Sequence, residues 1–510
     1  MPPPENRPNF LIVMTDHQRM DTAQPDHPCI TPNLTRMTNE GVNFTNVYCP
    51  TAHCCPARAT FWSGLYPTRH GVWNNVDNDY AINRGPHEHI RLFSEDLRDA
   101  GYDLAYVGKW HVSALGTQSP SRYGWRELMH YEDGIQDNHI KWEKIREQAD
   151  APGDTEAAIQ MPGYNPSVLY GVSDTIEKGD DRFTQRGIEE LKNLAQQERP
   201  WALYIGLNGP HTPYRVPQRY LDMYNLEDIP LPPSYADEMT DKPEYYQRVR
   251  NQIFDQLGER GTKEAIRHFW AYCTLLDDMF GEILETLEST GQAENTVVLY
   301  CSDHGDYVGE HGLFHKQVPA FLGAYHVPAI MRWPAGIRNP GRNVDAFISL
   351  ADFAPSFLDL AGVEVNRYFT GRSFVPFLRD ESPDDWREQI CTQCEGAEQH
   401  FTQRAVIARQ WKYVYNGFGK DELYDLVNDP HEIRNLADDP DYDAIKRDLV
   451  GRMWRFAYLE QDSLGATQYL MVNTAPWGPK EGLKGEKGRA LPHAVPRGKE
   501  NQPDACDHTH

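Results

Sequence analysis

Phe10-Leu11-Ile12-Val13-Met14 runs straight into Thr15-Asp16-His17, an apolar stretch with no polar interruption that stops at an acidic and an imidazole side chain. Successive side chains on a strand point to opposite faces, so an unbroken apolar run describes a strand covered on both sides. The same grammar recurs three times. Asp103-Leu104-Ala105-Tyr106-Val107-Gly108 leads into Lys109-Trp110-His111, and Trp201-Ala202-Leu203-Tyr204-Ile205-Gly206-Leu207 leads into Asn208-Gly209-Pro210-His211. Thr296-Val297-Val298-Leu299-Tyr300-Cys301 leads into Ser302-Asp303-His304-Gly305-Asp306. Helical patterns separate these runs. Residues 263 to 291 carry Ile266, Phe269, Leu275, Leu276, Met279, Ile283, Leu284 and Leu287 at helical spacing, which predicts a core-facing helix. Buried strands alternating with helices predict an α/β fold whose mostly parallel sheet is covered by helices on both faces. Ligands of such sheets bind beyond the carboxyl ends of the strands, so four polar clusters far apart in sequence are expected on one rim.

A second stretch carries the reactive group. Thr51-Ala52-His53-Cys54-Cys55-Pro56-Ala57-Arg58-Ala59-Thr60-Phe61-Trp62-Ser63-Gly64 spaces Cys54, Pro56 and Arg58 as C-x-P-x-R. Proline is tolerated in a helix's first turn and glycine ends helices, so the stretch predicts a short helix opening at Cys54. Free N–H groups and the positive end of the helix dipole attract an anion there. Arg58, one turn on, is expected to add a rigid fork for a tetrahedral oxyanion.

Composition narrows the class. The chain has 510 residues, 39% hydrophobic and 25% charged, which is globular usage with room for more than one packing unit. No apolar run approaches the ~20 residues a membrane helix needs. The opening Met1-Pro2-Pro3-Pro4-Glu5-Asn6-Arg7-Pro8 lacks the charged-then-apolar pattern of an export signal, so a cytoplasmic location is expected. A formal charge of −25 argues against nucleic acid as partner. Nine cysteines are an odd count spread along the chain, unlike a disulfide framework, and Cys391-Thr392-Gln393-Cys394 has no second pair at zinc spacing.

Residues 1–370 are expected to form the catalytic α/β unit. Residues 112 to 180, polar and rich in glycine, proline and acidic side chains, are expected as loops near the site mouth. Residues 371–460 change texture. Arg404-Ala405-Val406-Ile407-Ala408-Arg409 and Trp411-Lys412-Tyr413-Val414-Tyr415 read as a hairpin, Glu422-Leu423-Tyr424-Asp425-Leu426 as a further strand, and residues 444 to 459 as a flanking helix. Residues 461–510 hold too little apolar surface to pack alone and read as a tail draped on the body or exchanged with a neighbouring subunit, and a homo-oligomer is the expected state.

With these clusters in order, the chain resembles the formylglycine-dependent (type I) sulfatases of the alkaline phosphatase superfamily, near the arylsulfatase and phosphonate monoester hydrolase branch. The resemblance spans residues 9 to 440. It rests on Asp16, Cys54-x-Pro56-x-Arg58, Gly108-Lys109-Trp110-His111, Pro210-His211-Thr212-Pro213, Ser302-Asp303-His304-Gly305-Asp306 and His315-Lys316. It implies an alkaline-phosphatase-like sheet sandwich with a smaller C-terminal antiparallel sheet. It also implies a sulfate-ester substrate of small size and a separate maturation enzyme that oxidises Cys54 to formylglycine (3-oxoalanine). The hydrated aldehyde explains the modification: one hydroxyl attacks sulfur and the second releases sulfate by re-forming the aldehyde.

The resemblance further implies a divalent metal held by Asp16, His17, Asp303 and His304, with calcium first and manganese or zinc as alternatives, because two imidazoles stand where relatives more often carry Asp or Gln and Asn. Lys109 and Lys316 are the implied sulfate clamps, His111 the base, and His211 the acid or electrostatic partner at the leaving oxygen. Asn75 matches a sulfate-donating asparagine, with Asn74 as its alternative. His70 is expected to be structural. The competing readings are a phosphonate monoester or phosphodiester hydrolase, against which the Lys109-Trp110-His111 triplet speaks, a catalytically silent binding protein on the same fold, and a plain cysteine hydrolase.

Overall fold

The computed structural model describes residues 7–483 apart from 79–80, 115–116, 131–157, 161–165, 177–178, 317, 397–399 and 463–469. Its frame is an eight-stranded sheet. The strands are β1 (Asn9–Asp16), β2 (Val42–Phe44), β3 (Asp103–Gly108), β4 (Arg126–His130), β5 (Trp201–Pro210), β6 (Thr296–Ser302), β7 (Ala329–Arg332) and β8 (Arg342–Val344). Their order is β8-β2-β7-β6-β1-β5-β3-β4. The four apolar runs of the sequence are the central strands β6, β1, β5 and β3, paired in parallel. Every residue of β1 is buried, as a strand covered on both faces requires. β7 runs against its neighbours β6 and β2.

Helices cover this sheet. The expected core helix is α3 (Gly258–Ser289), and all eight of its named apolar positions are buried. It packs with α2 (Asp180–Leu194) on β5. A second group joins α1 (Cys54–Ser63) to the helices Phe93–Asp99 and Phe353–Leu360. Phe61, Trp62, Phe93 and Phe357 interlock there, and Phe357 also meets Phe10 of β1 edge-on at 5.1 Å between centroids. Offset and edge-on ring pairs of this kind add roughly 0.5–1.5 kcal/mol each beyond area burial.

The C-terminal unit is a four-stranded antiparallel sheet, β9 (Gln389–Cys394), β10 (Gln403–Ala408), β11 (Trp411–Asn416) and β12 (Glu422–Asp425), in that order. Helix α4 (Asp443–Glu460) packs on β10 and β11, with Leu449, Val450, Met453 and Trp454 against Val406, Tyr413 and Leu423. Strand β9 is absent from the sequence expectation, because Gln389-Ile390-Cys391-Thr392-Gln393-Cys394 has no apolar alternation to mark it. Its two cysteines do not pair with each other: Cys391 joins the cluster beneath α4, and Cys394 Sγ lies 3.7 Å from His53 Nδ1. Phe374, Phe377 and Leu378 belong to the main core.

Within residues 112 to 180 the described part includes Tyr170–Val172, which pairs in parallel with Tyr214–Val216; the expected loops at 131–157 and 161–165 lie outside the described residues. Of the expected tail, residues 470–483 lie against α4, where Trp454 Nε1 donates to Trp477 O at 2.7 Å and Arg447 pairs with Glu481. Residues 463–469 and 484–510 are outside the described residues, as is the opening hexapeptide. Among the described residues no helix is long and apolar enough to cross a membrane.

Candidate active site and metal centre

The order β6-β1-β5-β3 brings the carboxyl ends of the four apolar runs side by side. Gly108 makes the last turn of β3 possible. Its φ is +93°, and a Cβ there would stand 2.0 Å from the carbonyl oxygen of Gly206. Only glycine lets the two backbones approach so closely, and Lys109 N then donates to Gly206 O at 2.9 Å, aiming Lys109 at the rim. His17, His111 and His315 have positive φ values of 71°, 50° and 66°. Such left-handed backbone is unfavourable for residues with a Cβ and collects at functional sites.

Helix α1 opens at Cys54 and closes at Gly64, whose φ is +72° and whose N–H caps Thr60 O at 2.9 Å. All ten of its residues are buried. Cys54 Sγ lies 3.0 Å from Lys316 Nζ, 3.2 Å from His304 Nε2 and 3.7 Å from Asp16 Oδ1. Burial and Asp16 push this thiol up, but Lys316, Lys109 and His304 outweigh them and hold it well below an ordinary thiol. The adjacent Cys55 is pushed up by burial.

Asp16 and Cys54 belong to one knot of charge. Lys109 Nζ donates to Asp16 Oδ2, and Arg58 Nη2 is 3.9 Å from the same oxygen. Burial raises the Asp16 carboxyl, yet Lys109, His211, Lys316 and Arg58 together bring it well below the usual carboxylate range. Asp303 goes the other way: burial raises it, and Arg58 only partly opposes. Arg58, the expected oxyanion fork, commits two of its three nitrogens to the protein and leaves Nη2 without a hydrogen-bond partner among the described residues. Its Nε donates to Asp303 Oδ2 at 2.7 Å, and its Nη1 donates to Lys109 O at 3.1 Å and to Tyr204 Oη at 3.0 Å. With both Arg58 and Asp303 fully buried, the guanidinium ties α1 to the ends of β6 and β3 through Nε and Nη1.

Asp16, His17, Cys54 and His304 each offer a ligand atom, all within 4.8 Å of one another. His304 Nδ1 donates to Gly305 O at 2.8 Å, a carbonyl being an acceptor only, so Nε2 is the nitrogen that faces this cluster. His17 Nδ1 sits 2.9 Å from Asp306 Oδ2, and Lys316 Nζ contacts its Nε2. A carboxylate oxygen, two oriented imidazoles and a sulfur fit a divalent cation. Of the four implied ligands, Asp303 stands beside this donor set: its Oδ1 accepts from His304 N at 2.8 Å and lies 3.8 Å from His304 Nε2.

The remaining expected groups converge here. The His211 ring is 4.1 Å from that of His17, and its Nδ1 donates to Thr212 O at 2.8 Å. His111 Nε2 lies 3.1 Å from Asp77 Oδ2. Burial lowers His111, but Cys55, Asp77 and Cys54 outweigh burial and Lys109, raising it well above an ordinary imidazole. Asn75 Oδ1 accepts from Cys55 N at 3.5 Å, at the start of α1, whereas the buried Asn74 accepts from Ile82 N at 3.1 Å. Thus Asn75, not Asn74, touches the nucleophile's turn. His315 bonds Thr212 Oγ1 through Nδ1 at 3.1 Å. His70 is buried between Thr60 Oγ1 and Val72 N, a structural placement. Sequence reasoning assigned no role to Asp77, Tyr214 or Asp306; only the position of Asp306 at a strand end hinted at one.

Comparisons with known proteins identify the family. The profile described as Sulfatase matches residues 8–363, and one described as N-sulphoglucosamine sulphohydrolase, C-terminal, matches residues 309–458. The chain is 28% identical over 441 residues to the uncharacterized sulfatase YidJ of Escherichia coli, covering 85% of this chain and 84% of that protein. It is 29% identical over 455 residues to a choline-sulfatase of Rhizobium meliloti, covering 85% and 83%. Among solved structures, a phosphonate monoester hydrolase of Agrobacterium radiobacter shares the fold at a TM-score of 0.72 and 23% identity, covering 89% of this chain and 96% of its own.

Proposed function

The chain belongs to the sulfatase family and is a sulfuric ester hydrolase, and we propose that it acts on aryl or small-alcohol sulfate monoesters through a formylglycine made from Cys54. The observation that carries this reading is the seat of Cys54, first residue of a buried helix, with Lys316, His304 and Asp16 around its sulfur. A hydrated formylglycine there would supply the attacking hydroxyl, and Asp16, His17, His304 and the adjoining Asp303 would hold a divalent cation that would supply a Lewis acid beside it.

Lys109 and Lys316 bring two cations to the site of the sulfate, and Asn75, whose Oδ1 accepts from Cys55 N beside Cys54, would add an amide donor. Arg58 keeps Asp303 and α1 in register. His111, with Nε2 tied to Asp77, has its ring next to Cys54 and is suited to hold the proton that leaves the second hydroxyl. His211, stacked on His17, stands where a proton can be given to the leaving oxygen. A formylglycine-generating enzyme, a homo-oligomeric state with the tail at the subunit interface, a cytoplasmic setting and the division into residues 1–370, 371–460 and 461–510 complete the reading from sequence.

The alternative is phosphonate monoester or phosphodiester hydrolysis as a side activity, favoured by the Asp303-His304 pair and disfavoured by Lys109-Trp110-His111. The test couples mass spectrometry of the Cys54 peptide, after expression with a maturation enzyme, to turnover of a panel of sulfate esters alongside one phosphonate monoester. Conversion to the aldehyde with sulfate-ester turnover that a chelator abolishes supports the proposal. Full activity with an unconverted thiol refutes it.

A further inference from the structure

Asp306 stands on the far side of His17 from the donor cluster, and its carboxylate is fully buried. Its Oδ2 accepts from Tyr214 Oη at 2.8 Å and lies 2.9 Å from His17 Nδ1, while its Oδ1 accepts from Val308 N at 3.0 Å. Tyr214 is itself fully buried, edge-on to Phe269 of α3 at 5.2 Å. The tautomer of His17 follows from its other nitrogen. Lys316 offers donors only, so its contact at Nε2 makes that atom an acceptor and leaves the proton on Nδ1, donated to Asp306. His304 is held the same way by the Gly305 carbonyl.

We infer that Asp306, braced by Tyr214, is a positioning residue that turns the Nε2 lone pair of His17 into the donor cluster, and that the site thereby selects a manganese- or zinc-class cation over calcium. This inference rests on the metal-assisted reading above. Calcium takes about six to eight oxygen ligands. Once Cys54 carries formylglycine, the two imidazole nitrogens of His17 and His304 are what distinguish the cluster from an all-oxygen calcium cage, and imidazole suits transition ions. A carboxylate behind a ligating imidazole fixes its ring and raises its basicity, and loss of such a partner typically costs about 10–100-fold in metal affinity. This departs from the calcium that the family resemblance implies first.

The test uses the full chain, stripped of metal by chelation and titrated calorimetrically with Mn2+, Zn2+ and Ca2+, with Co2+ loading followed by visible absorption. Wild type should bind Mn2+ at least about tenfold more tightly than Ca2+. Asp306→Asn should weaken Mn2+ by about 10–100-fold, change Ca2+ little, and shift the Co2+ bands as a nitrogen ligand is lost. Tyr214→Phe should move affinity and spectrum in the same direction by less, and it carries the test if Asp306→Asn fails to fold, as judged by melting of the stripped proteins. Equal or tighter Ca2+ binding by wild type overturns the inference, as does an Asp306→Asn protein with unchanged Mn2+ affinity and Co2+ spectrum; either result leaves the metal-assisted reading standing. A wild-type chain that takes up no divalent cation removes both.

Discussion

Lys316 Nζ stands 3.0 Å from Cys54 Sγ, although the two residues are 262 positions apart in the chain. The contact is the strongest cationic influence on a thiol that burial alone would render inert. Before maturation, Cys54 should therefore alkylate as a thiolate at neutral pH while Cys55 does not. Removing an adjacent opposite charge moves such a group by about one unit or more, so Lys316→Ala should shift the pH profile of Cys54 labelling upward by that amount. The check is iodoacetamide labelling read by peptide mass spectrometry; an unshifted profile would contradict the role of Lys316.

Lys109 joins the Asp16 carboxylate to the rim. A preorganised cation facing a transferring group is worth about 10²–10³ in kcat, so Lys109→Ala should lower sulfate-ester turnover by that order. It should lower phosphonate-ester turnover less, because the sulfate reading depends on the Lys109-Trp110-His111 triplet. Parallel steady-state assays of both substrates decide the point, and equal losses would remove the distinction.

Arg58 and Asp303 form an ion pair with neither side chain exposed. Breaking a buried pair from one side leaves an uncompensated charge and costs about 3–5 kcal/mol. Arg58→Ala should lose that much unfolding free energy in urea, in addition to activity. A loss below about 1 kcal/mol would show that the pair is not the tie between α1 and the sheet.

His70 is pushed down to about 3, chiefly by burial with His87 adding, while an unfolded-chain imidazole titrates near 6.5. The folded value is the lower one, so the unfolded chain binds the extra proton between these limits. His70 thus contributes full stability above about pH 6.5 and loses it as the pH falls toward 3. In His70→Gln the slope of unfolding free energy between pH 6 and 4 should flatten by on the order of 1 kcal/mol per pH unit. Urea titrations at several pH values measure this, and an unchanged slope would count against a neutral buried His70.

Gly108→Ala should destabilise and deactivate together. The left-handed backbone alone costs roughly 1–2 kcal/mol, and the added methyl meets the Gly206 backbone at 2.0 Å, which cannot yield as a side chain could. Thermal melting and kcat are the readouts; a wild-type melt with full activity would show that the β3 turn is not held by this approach.

The sequence by itself determined what local periodicity can carry: the apolar runs of β1, β3, β5 and β6, the helical stripe of α3, the opening of α1 at Cys54, and the hairpin of β10 and β11. Each is written in local sequence, as an unbroken apolar run for a strand buried on both faces, a period of three to four for the helix, alternation for the hairpin, and proline and glycine at the ends of α1. Strand β9 escaped because, Ile390 apart, its buried residues are polar and cysteine side chains, among them Gln393, which bonds Asp462 at 3.0 Å. The Arg58–Asp303 pair, the contact of Asn75 with Cys55 N, the pairing of Asp77 with His111 and of Asp306 with His17 were decided only by the tertiary structure. They depend on which donor meets which acceptor across hundreds of residues, and a buried polar group must find its partner wherever the fold places one.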